Sequence, residues 1–170
     1  MIVCPYCNYE NIEGADECEQ CQQSLTSLSD HAPKSDVERS LLNDPIAVLD
    51  PQKPLVVTPD ARTGDVLQML VEHSVGCVVV VSDGHPVGIF SERDALRRLN
   101  VDAAQLADHP ISEFMTPDPE TLSIDAKVAF AVCQMDLGGY RHLPIVGKNR
   151  PVAGVISVRD ILRYLTEKIG

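Results

Sequence analysis

The hydrophobic pattern of the chain occurs twice between about residue 41 and Gly170. In each copy a short apolar stretch is followed by an Asp-Ala pair and then by apolar residues at helical spacing, first over residues 57–70 and again over residues 122–135. Each segment therefore predicts a short strand that leads into an amphipathic helix.

Continuous apolar runs come next in both copies. Residues 77–81 form the first run and residues 143–146 the second, and each run ends in a polar turn, at residues 82–85 and 147–150. Short apolar runs bounded by turn residues are typical of buried strands. We expect each run to be a buried strand that enters a hairpin.

A second strand then leads into a second helix, over residues 87–96 in the first copy and 153–162 in the second. The predicted repeat is strand, helix, strand, strand, helix, which belongs to the α/β (α+β) class. One copy is too small to bury both faces of its sheet alone. We expect the two copies to pack as a pseudo-symmetric pair with one shared core.

Four of the six cysteines form two Cys-x-x-Cys pairs, Cys4 with Cys7 and Cys18 with Cys21. Each pair predicts a tight turn that presents two sulfurs to one metal ion, and two such turns complete a tetrahedron. Zinc suits four thiolates, and a fully occupied site is structural rather than catalytic. Iron in a rubredoxin-like site uses the same ligands and remains an alternative. Two disulfides are a weaker alternative, because we expect a reducing compartment.

The cysteine-rich segment resembles short zinc ribbons in which Cys-Pro-x-Cys is followed by Asn-x-x-Gly-Ala, here at residues 11–15. Rubredoxin-like knuckles usually place Gly after the second Cys, where the backbone is left-handed, whereas this chain has Asn8 and Gln22. The remaining cysteines, Cys77 and Cys133, stand alone in apolar segments. We expect both to be small buried hydrophobic residues.

A polar stretch at residues 24–40 separates the cysteines from the repeats and predicts a linker, with a short helix that begins near Ser35. A domain boundary is expected near Leu41. The predicted domains are a zinc ribbon at 1–24, a linker at 25–42, a first repeat at 43–108 and a second repeat at 109–170.

The sequence Gly-apolar-apolar-Ser-x-Arg-Asp occurs in both copies, at residues 88–94 and 154–160. One interpretation is helix capping, since Ser followed three residues later by an acid is close to a capping box. The other is ligand binding, because a helix start, a hydroxyl and an arginine suit a phosphate and a carboxylate can accept both hydroxyls of a ribose. The occurrence of the motif in both copies favours the second interpretation.

Residues 44–170 resemble the CBS-domain family, whose paired units form a Bateman module. The resemblance rests on the two Ser-x-Arg-Asp elements and on residues 114–117 and 139–146. It implies a regulatory module that binds AMP, ADP, ATP or S-adenosylmethionine and forms a homodimer. The residues to which it gives a ligand-binding role are Ser91, Arg93, Asp94, Thr116, Tyr140, Arg141, His142, Pro144, Ser157, Arg159 and Asp160.

Within that resemblance, each Asp would bind ribose, and each Ser would bind phosphate together with nearby basic residues. The second copy has Arg141 and His142 where the first has Gly76 and Cys77. We therefore expect the second copy to bind phosphate more strongly.

Composition and the absence of certain motifs narrow the range of partners and functions that we expect. The formal net charge is −11, aromatic residues make up 4% of the chain and there is no Trp, which argues against a nucleic-acid partner. We find no secretion signal and no membrane-spanning run, so we expect a cytoplasmic protein. No catalytic motif is recognisable, and we expect no enzyme activity.

The leading hypothesis is a regulatory sensor of an adenine nucleotide with a structural zinc ribbon. One alternative is a dimeric assembly protein whose ribbon recruits a protein partner. Another is an iron-containing redox ribbon.

Overall fold

The computed structural model describes residues 1–4, 7, 9–12, 14–23, 25, 35–147 and 151–169. Asn8, most of the predicted linker at 26–34 and most of the second predicted turn at 148–150 lie outside the described residues. The chain divides into two compact units. The first comprises residues 1–51, 122–143 and 156–170, and the second comprises 52–121 and 144–155.

The first unit begins with a two-stranded antiparallel hairpin of β1 (Ile2–Val3) and β2 (Glu10–Asn11). Helix α1 (Asp36–Asn43) follows, and the side chain of Ser35 caps it by accepting a hydrogen bond from the Glu38 backbone N–H. The predicted helix near Ser35 is therefore present, and the boundary expected near Leu41 falls inside it.

The first repeat lies in the second unit. Its elements are β3 (Val56–Val57), α2 (Thr63–Glu72), β4 (Cys77–Ser82), β5 (His85–Ser91), α3 (Glu92–Asp94) and β6 (Thr116–Pro117). The sheet order is β3-β4-β5-β6, with β3 parallel to β4 and the other pairs antiparallel. Asp83 and Gly84 both have positive φ, which allows the tight turn between β4 and β5.

The core of this repeat lies between α2 and the sheet. Val66 and Leu70 of α2 pack in one cluster with Val78, Val80 and Phe90 of the strands. Alternate residues of a strand point to the same face, so Val78 and Val80 contribute to one side of the sheet. The apolar run at residues 77–81 therefore forms a buried strand, as the sequence predicts.

The second helix of the first repeat is irregular. Helix α3 gives way after one turn to a π-helical segment, Ala95–Leu99, which ends at Asn100 with φ 44°. Short π-helical segments are rare and frequently occur at functional sites.

The second repeat has the same element order without this irregularity. Its elements are β7 (Leu122–Ser123), α4 (Val128–Gly138), β8 (His142–Val146), β9 (Val152–Ser157) and α5 (Val158–Ile169). The three strands form a sheet in the order β7-β8-β9. Both copies therefore follow the predicted order of strand, helix, strand, strand, helix, and the α/β class is confirmed.

Helix α1 packs on α4 and α5 in the first unit. Asp44, at the end of α1, accepts hydrogen bonds from the Tyr164 hydroxyl at 2.8 Å and the Lys168 ammonium at 3.0 Å. Its backbone carbonyl accepts a hydrogen bond from Val128 N–H at the start of α4. Helix α1, which begins in the predicted linker, thus ends at a residue that contacts two helices of the second repeat.

No helix in the described parts of the chain is both long enough and apolar enough to cross a membrane.

Candidate metal cluster and nucleotide-binding residues

The two Cys-x-x-Cys pairs lie in equivalent backbone turns. Cys4 N–H donates to the Tyr9 carbonyl at 2.9 Å, and Cys18 N–H donates to the Gln23 carbonyl at 2.8 Å. Each bond spans five residues and closes its turn around the sulfurs. Gln22 takes the left-handed conformation, with φ 57°, that such knuckles usually assign to Gly.

The four cysteines of these turns converge on one point. Their sulfurs all lie within 4.8 Å of one another, with Sγ–Sγ distances of 3.5 Å for Cys4–Cys21 and for Cys7–Cys18. A disulfide would need about 2.05 Å, and all four cysteines are free thiols. Zn–S bonds of about 2.3 Å place tetrahedral sulfurs about 3.8 Å apart. The cluster therefore fits a tetrahedral metal ion.

Asn11 supports the cluster from within the ribbon, where its exposed fraction is 1%. Its amide nitrogen donates to the Tyr9 carbonyl at 3.0 Å and lies 3.6 Å from Cys18 Sγ. Its side-chain oxygen accepts from Glu19 N–H at 2.9 Å. Asn11 thus ties the two cysteine turns together and offers an N–H to the Cys18 sulfur.

The cysteine thiols differ in acidity. Burial raises the pKa of Cys7 to about 12 and also raises that of Cys21. Burial acts in the same direction at Cys18, but the backbone N–H groups of Cys21 and Gln20, with the side chains of Cys7 and Asn11, lower its pKa to about 6. Metals bind thiolates, so metal binding at this cluster would displace protons and weaken as pH falls.

The Ser-x-Arg-Asp element of the first repeat forms a capping box at the start of α3. Ser91 accepts a hydrogen bond from Asp94 N–H, and Asp94 Oδ2 accepts from Ser91 N–H at 3.0 Å and from its hydroxyl at 2.6 Å. The capping interpretation is therefore correct for this copy, and it involves one oxygen of the carboxylate.

The other oxygen of Asp94 lies among polar groups that come from later in the chain. Asp94 Oδ1 accepts from the Thr116 hydroxyl at 3.3 Å and lies 3.6 Å from Arg98 Nε. Arg98 also donates to the Met115 carbonyl at 2.7 Å and to the Thr116 hydroxyl at 3.2 Å. Thr116, which the sequence assigns to the second repeat, lies beside Asp94 of the first because β6 pairs with β5.

Gly88 leaves room for this arrangement at the start of the motif. A Cβ atom there would meet the flexible end of the Met115 side chain, which would have to shift. The absence of a side chain at Gly88 therefore lets Met115 pack directly against β5.

The second repeat has the same serine contacts around Asp160, whose exposed fraction is 8%. Asp160 Oδ2 accepts from Ser157 N–H and from the Ser157 hydroxyl, both at 2.7 Å. Its Oδ1 accepts from Arg163 at 2.9 Å. Each copy therefore pairs a helix-start carboxylate with an arginine about one turn further along the helix.

A backbone hydrogen bond confirms that the two copies correspond residue by residue at this point. Glu92 N–H donates to the Gly76 carbonyl at 3.1 Å, and Val158 N–H donates to the Arg141 carbonyl at 3.0 Å. Arg141 of the second copy thus occupies the position of Gly76, directly beside the start of α5.

The other predicted ligand residues are placed less uniformly. Arg93 and Arg159, the arginines within the motif, are exposed, as are Arg141 and Tyr140. The structure instead places Arg98 and Arg163 beside the carboxylates. The remaining predicted residues are His142, which is half-buried, and Pro144, which is buried in β8.

A sequence profile described as the CBS domain matches the chain twice, over residues 46–101 and 111–167. The chain belongs to the CBS-domain family. Both Ser–Asp pairs fall within the matched CBS segments, and the cysteine cluster falls outside them.

The chain is also similar to individual proteins. An uncharacterized 17.7 kDa protein in the bps2 3' region of Acidianus ambivalens is 34% identical over 116 residues, which cover 68% of this chain and 69% of that protein. The mitochondrial CBS domain-containing protein CBSX3 of Arabidopsis thaliana is 29% identical over 116 residues, or 65% of this chain and 56% of that protein. The chain therefore spans little more than half of the plant relative.

A solved structure shows the same fold. The CBS domain protein PAE2072 from Pyrobaculum aerophilum, complexed with AMP, has a TM-score of 0.62 and 28% identity, and the match covers 72% of this chain and 98% of that one.

Proposed function

We propose that this CBS-domain protein is a non-catalytic regulatory module that binds an adenine nucleotide. The observation that carries the proposal is the pair of equivalent Ser–Asp groups, Ser91 with Asp94 and Ser157 with Asp160. Each Asp lies beside an arginine about one turn further along the helix, Arg98 at i+4 in the first copy and Arg163 at i+3 in the second. The AMP complex of PAE2072, 28% identical to this chain, supports AMP as the first ligand to test.

Each group offers chemistry that suits a nucleoside phosphate. The carboxylate oxygens can accept ribose hydroxyls, and the serine hydroxyl and helix start suit a phosphate. Arginine adds charge and planar donors. In this proposal the ligand displaces Thr116 and Arg98 from Asp94 Oδ1 in the first copy and Arg163 from Asp160 Oδ1 in the second.

We propose that the second repeat is the stronger site. Arg141 is exposed beside the start of α5, where the first repeat has Gly76, so only the second copy places a guanidinium there. His142 follows it at the start of β8, and Tyr140 precedes it. Arg93 and Arg159 are exposed next to Ser91-Asp94 and Ser157-Asp160, and in this proposal they assist phosphate binding.

The cysteine cluster is proposed to hold one structural zinc ion through Cys4, Cys7, Cys18 and Cys21. Four inward thiolates leave no coordination position for a substrate, which favours a structural role. Iron fits the same sulfurs. We propose a zinc ribbon at 1–24, a linker at 25–42, and CBS repeats at 43–108 and 109–170.

We also propose a homodimer in the cytoplasm. Helix α5 exposes an apolar stripe, with exposed fractions of 38% at Val158, 57% at Leu162 and 77% at Ile169. These residues lie at positions i, i+4 and i+11, which share one helix face. The six free thiols fit a reducing compartment.

Calorimetry on ligand-stripped full-length protein tests the central proposal, with AMP, ADP, ATP and S-adenosylmethionine titrated separately. We expect at least one of the four to bind. Absence of binding by all four would leave the Ser–Asp pairs as helix caps and favour the assembly-protein alternative.

A further inference from the structure

The cysteine ribbon contacts helix α4 of the second repeat, within the first unit. Gln23 Nε2 donates to Cys133 Sγ at 3.0 Å, and Cys133 Sγ lies 3.8 Å from the Cys21 carbonyl oxygen. Cys133 lies in α4 and has an exposed fraction of 7%, and Leu25, which follows the second cysteine turn, is also buried. The Gln23 side chain, next to the second cysteine turn, thus contacts helix α4 of the second repeat.

The position of Gln23 depends on the fold of that turn. Its carbonyl accepts from Cys18 N–H at 2.8 Å, and Gln22 N–H donates to the Cys18 carbonyl at 2.8 Å. Among the described residues of 1–25, the buried ones are Cys4, Asn11, Cys18, Cys21 and Leu25. Three of these five are cysteines of the cluster. Without a metal, so little core cannot hold the turn in place.

The other end of α4 leads directly to the proposed nucleotide site. The helix ends at Gly138, and Gly139 turns the chain with φ 65°. The Tyr140 ring packs directly on Gly138, where a Cβ atom would meet it. The Arg141 carbonyl then accepts a hydrogen bond from Val158 N–H at the start of α5, next to Ser157. Helix α4 and the turn after it therefore connect Cys133 with the Arg141 position.

We propose that metal binding at the cysteine cluster stabilises α4 and residues 140–142 through the Gln23–Cys133 contact, and so strengthens nucleotide binding at the second repeat. This inference rests on the nucleotide-binding function proposed above. Coupling of this kind is reciprocal, so nucleotide should also tighten metal binding.

The first experiment compares zinc-loaded and zinc-free full-length protein carrying Asp94→Asn, which leaves the second repeat as the principal site. AMP affinity is measured by calorimetry, and backbone hydrogen exchange is measured over residues 134–141. Without zinc we expect AMP to bind at least about 5-fold more weakly and exchange to accelerate. Equal affinity in both states, or unchanged exchange, would overturn the coupling.

The second experiment removes the Gln23–Cys133 contact while the ribbon keeps its metal-binding cysteines. Gln23→Leu keeps all four cysteines, so we expect full zinc content together with weaker AMP binding and faster exchange in α4. Gln20→Leu makes the same change at an exposed position between Cys18 and Cys21. It should alter neither AMP binding nor hydrogen exchange in α4. In a Cys133→Ala background, Gln23→Leu should have no further effect. Additive effects of the two substitutions would contradict the proposed route.

The two proposals fail in different ways. If no AMP binds in either metal state while exchange in α4 still responds to zinc, the nucleotide-binding function and its coupling are overturned, and metal control of α4 stands. If AMP binds equally in both states, the function stands and the coupling is overturned.

Discussion

Asp160 and Asp94 each use one carboxylate oxygen to cap a helix and hold the other beside an arginine. Capping and ligand binding are therefore compatible, because they involve different oxygens of the same group. The sequence motif predicts a role for both Asp residues together with Arg93 and Arg159, whereas the structure places Arg98 and Arg163 beside the carboxylates. The motif does not point to Arg98 or Arg163, because their approach depends on the direction that each side chain takes on the helix surface.

The pair Asp160→Asn and Asp94→Asn ranks the two sites. Asn keeps an oxygen for the helix cap but loses the charge and one acceptor for ribose. Hydrogen bonds to charged groups contribute about 1.5–3 kcal/mol, so we expect Asp160→Asn to weaken AMP binding about 10- to 100-fold. Asp94→Asn should have a smaller effect. Calorimetry with AMP on stripped protein measures both, and a larger effect of Asp94→Asn would make the first repeat the principal site.

Asn11→Ala tests the support of the cysteine cluster at the level of one side chain. The substitution removes the amide that lies 3.6 Å from Cys18 Sγ and the acceptor of Glu19 N–H. Loss of such an outer contact typically lowers metal affinity about 10- to 100-fold. Competition with a zinc chelator measures the affinity. The exposed neighbour Ile12, changed to Ala, should leave it unaltered.

At the scale of elements, the order of strands and helices was predictable because apolar runs and helical spacing mark them directly. The irregular end of the first repeat was not. Residues 92–99 keep helical spacing, yet the helix becomes π-helical at Ala95–Leu99. The spacing of apolar residues cannot distinguish an α-helix from a short π-helical segment, because the extra residue in one turn hardly changes which positions are apolar. The contact of Gln23 with Cys133 could not be predicted from the sequence either, because the two residues are 110 positions apart.

The contact between α1 and α5 predicts a pH-dependent contribution to stability. Burial opposes ionisation of Asp44, but hydrogen bonds from Lys168 and Tyr164 lower its pKa below the ordinary value. A carboxylate with a depressed folded-state pKa stabilises the fold above its unfolded pKa, and that stability is lost as pH falls through the folded pKa.

Tyr164→Phe removes one of those hydrogen bonds and should reduce the free energy of unfolding by about 1 kcal/mol at pH 7. The cost should diminish in acid, as pH falls through the depressed pKa of Asp44 and its carboxylate becomes protonated. Urea unfolding at several pH values measures it. Tyr140→Phe, at an exposed ring, is the control. A cost independent of pH would show that Asp44 is not the partner that matters.

We expect the fold of the proposed ribbon to depend on its metal ion. We expect chelation or Cys18→Ser to release one zinc ion per chain and to unfold the ribbon while both CBS repeats remain folded, because the ribbon has too little core of its own. Plasma emission spectroscopy gives the metal content, and circular dichroism follows the repeats. Iron at one ion per chain would replace the zinc proposal with the rubredoxin-like alternative.

At the scale of the whole molecule, the question is what covers the apolar stripe on α5. Val158, Leu162, Leu165 and Ile169 lie within one face of the helix, and three of the four are exposed. Monomeric proteins seldom leave such contiguous patches uncovered. In a two-fold dimer the same stripe of both partners lies at the interface. Each residue of the stripe would therefore be buried in two copies, one from each partner.

Leu162→Glu in the whole 170-residue chain is therefore expected to dissociate the proposed homodimer. Burying one Leu contributes about 1.5–3 kcal/mol, and symmetry doubles the loss, so the dissociation constant should rise at least about 100-fold. Light scattering at micromolar concentration measures the mass. Gln105→Glu adds the same charge at an exposed position in the first repeat and should remain dimeric. Wild-type protein that is monomeric at this concentration would contradict the dimer, whereas a Leu162→Glu dimer would place the interface away from α5.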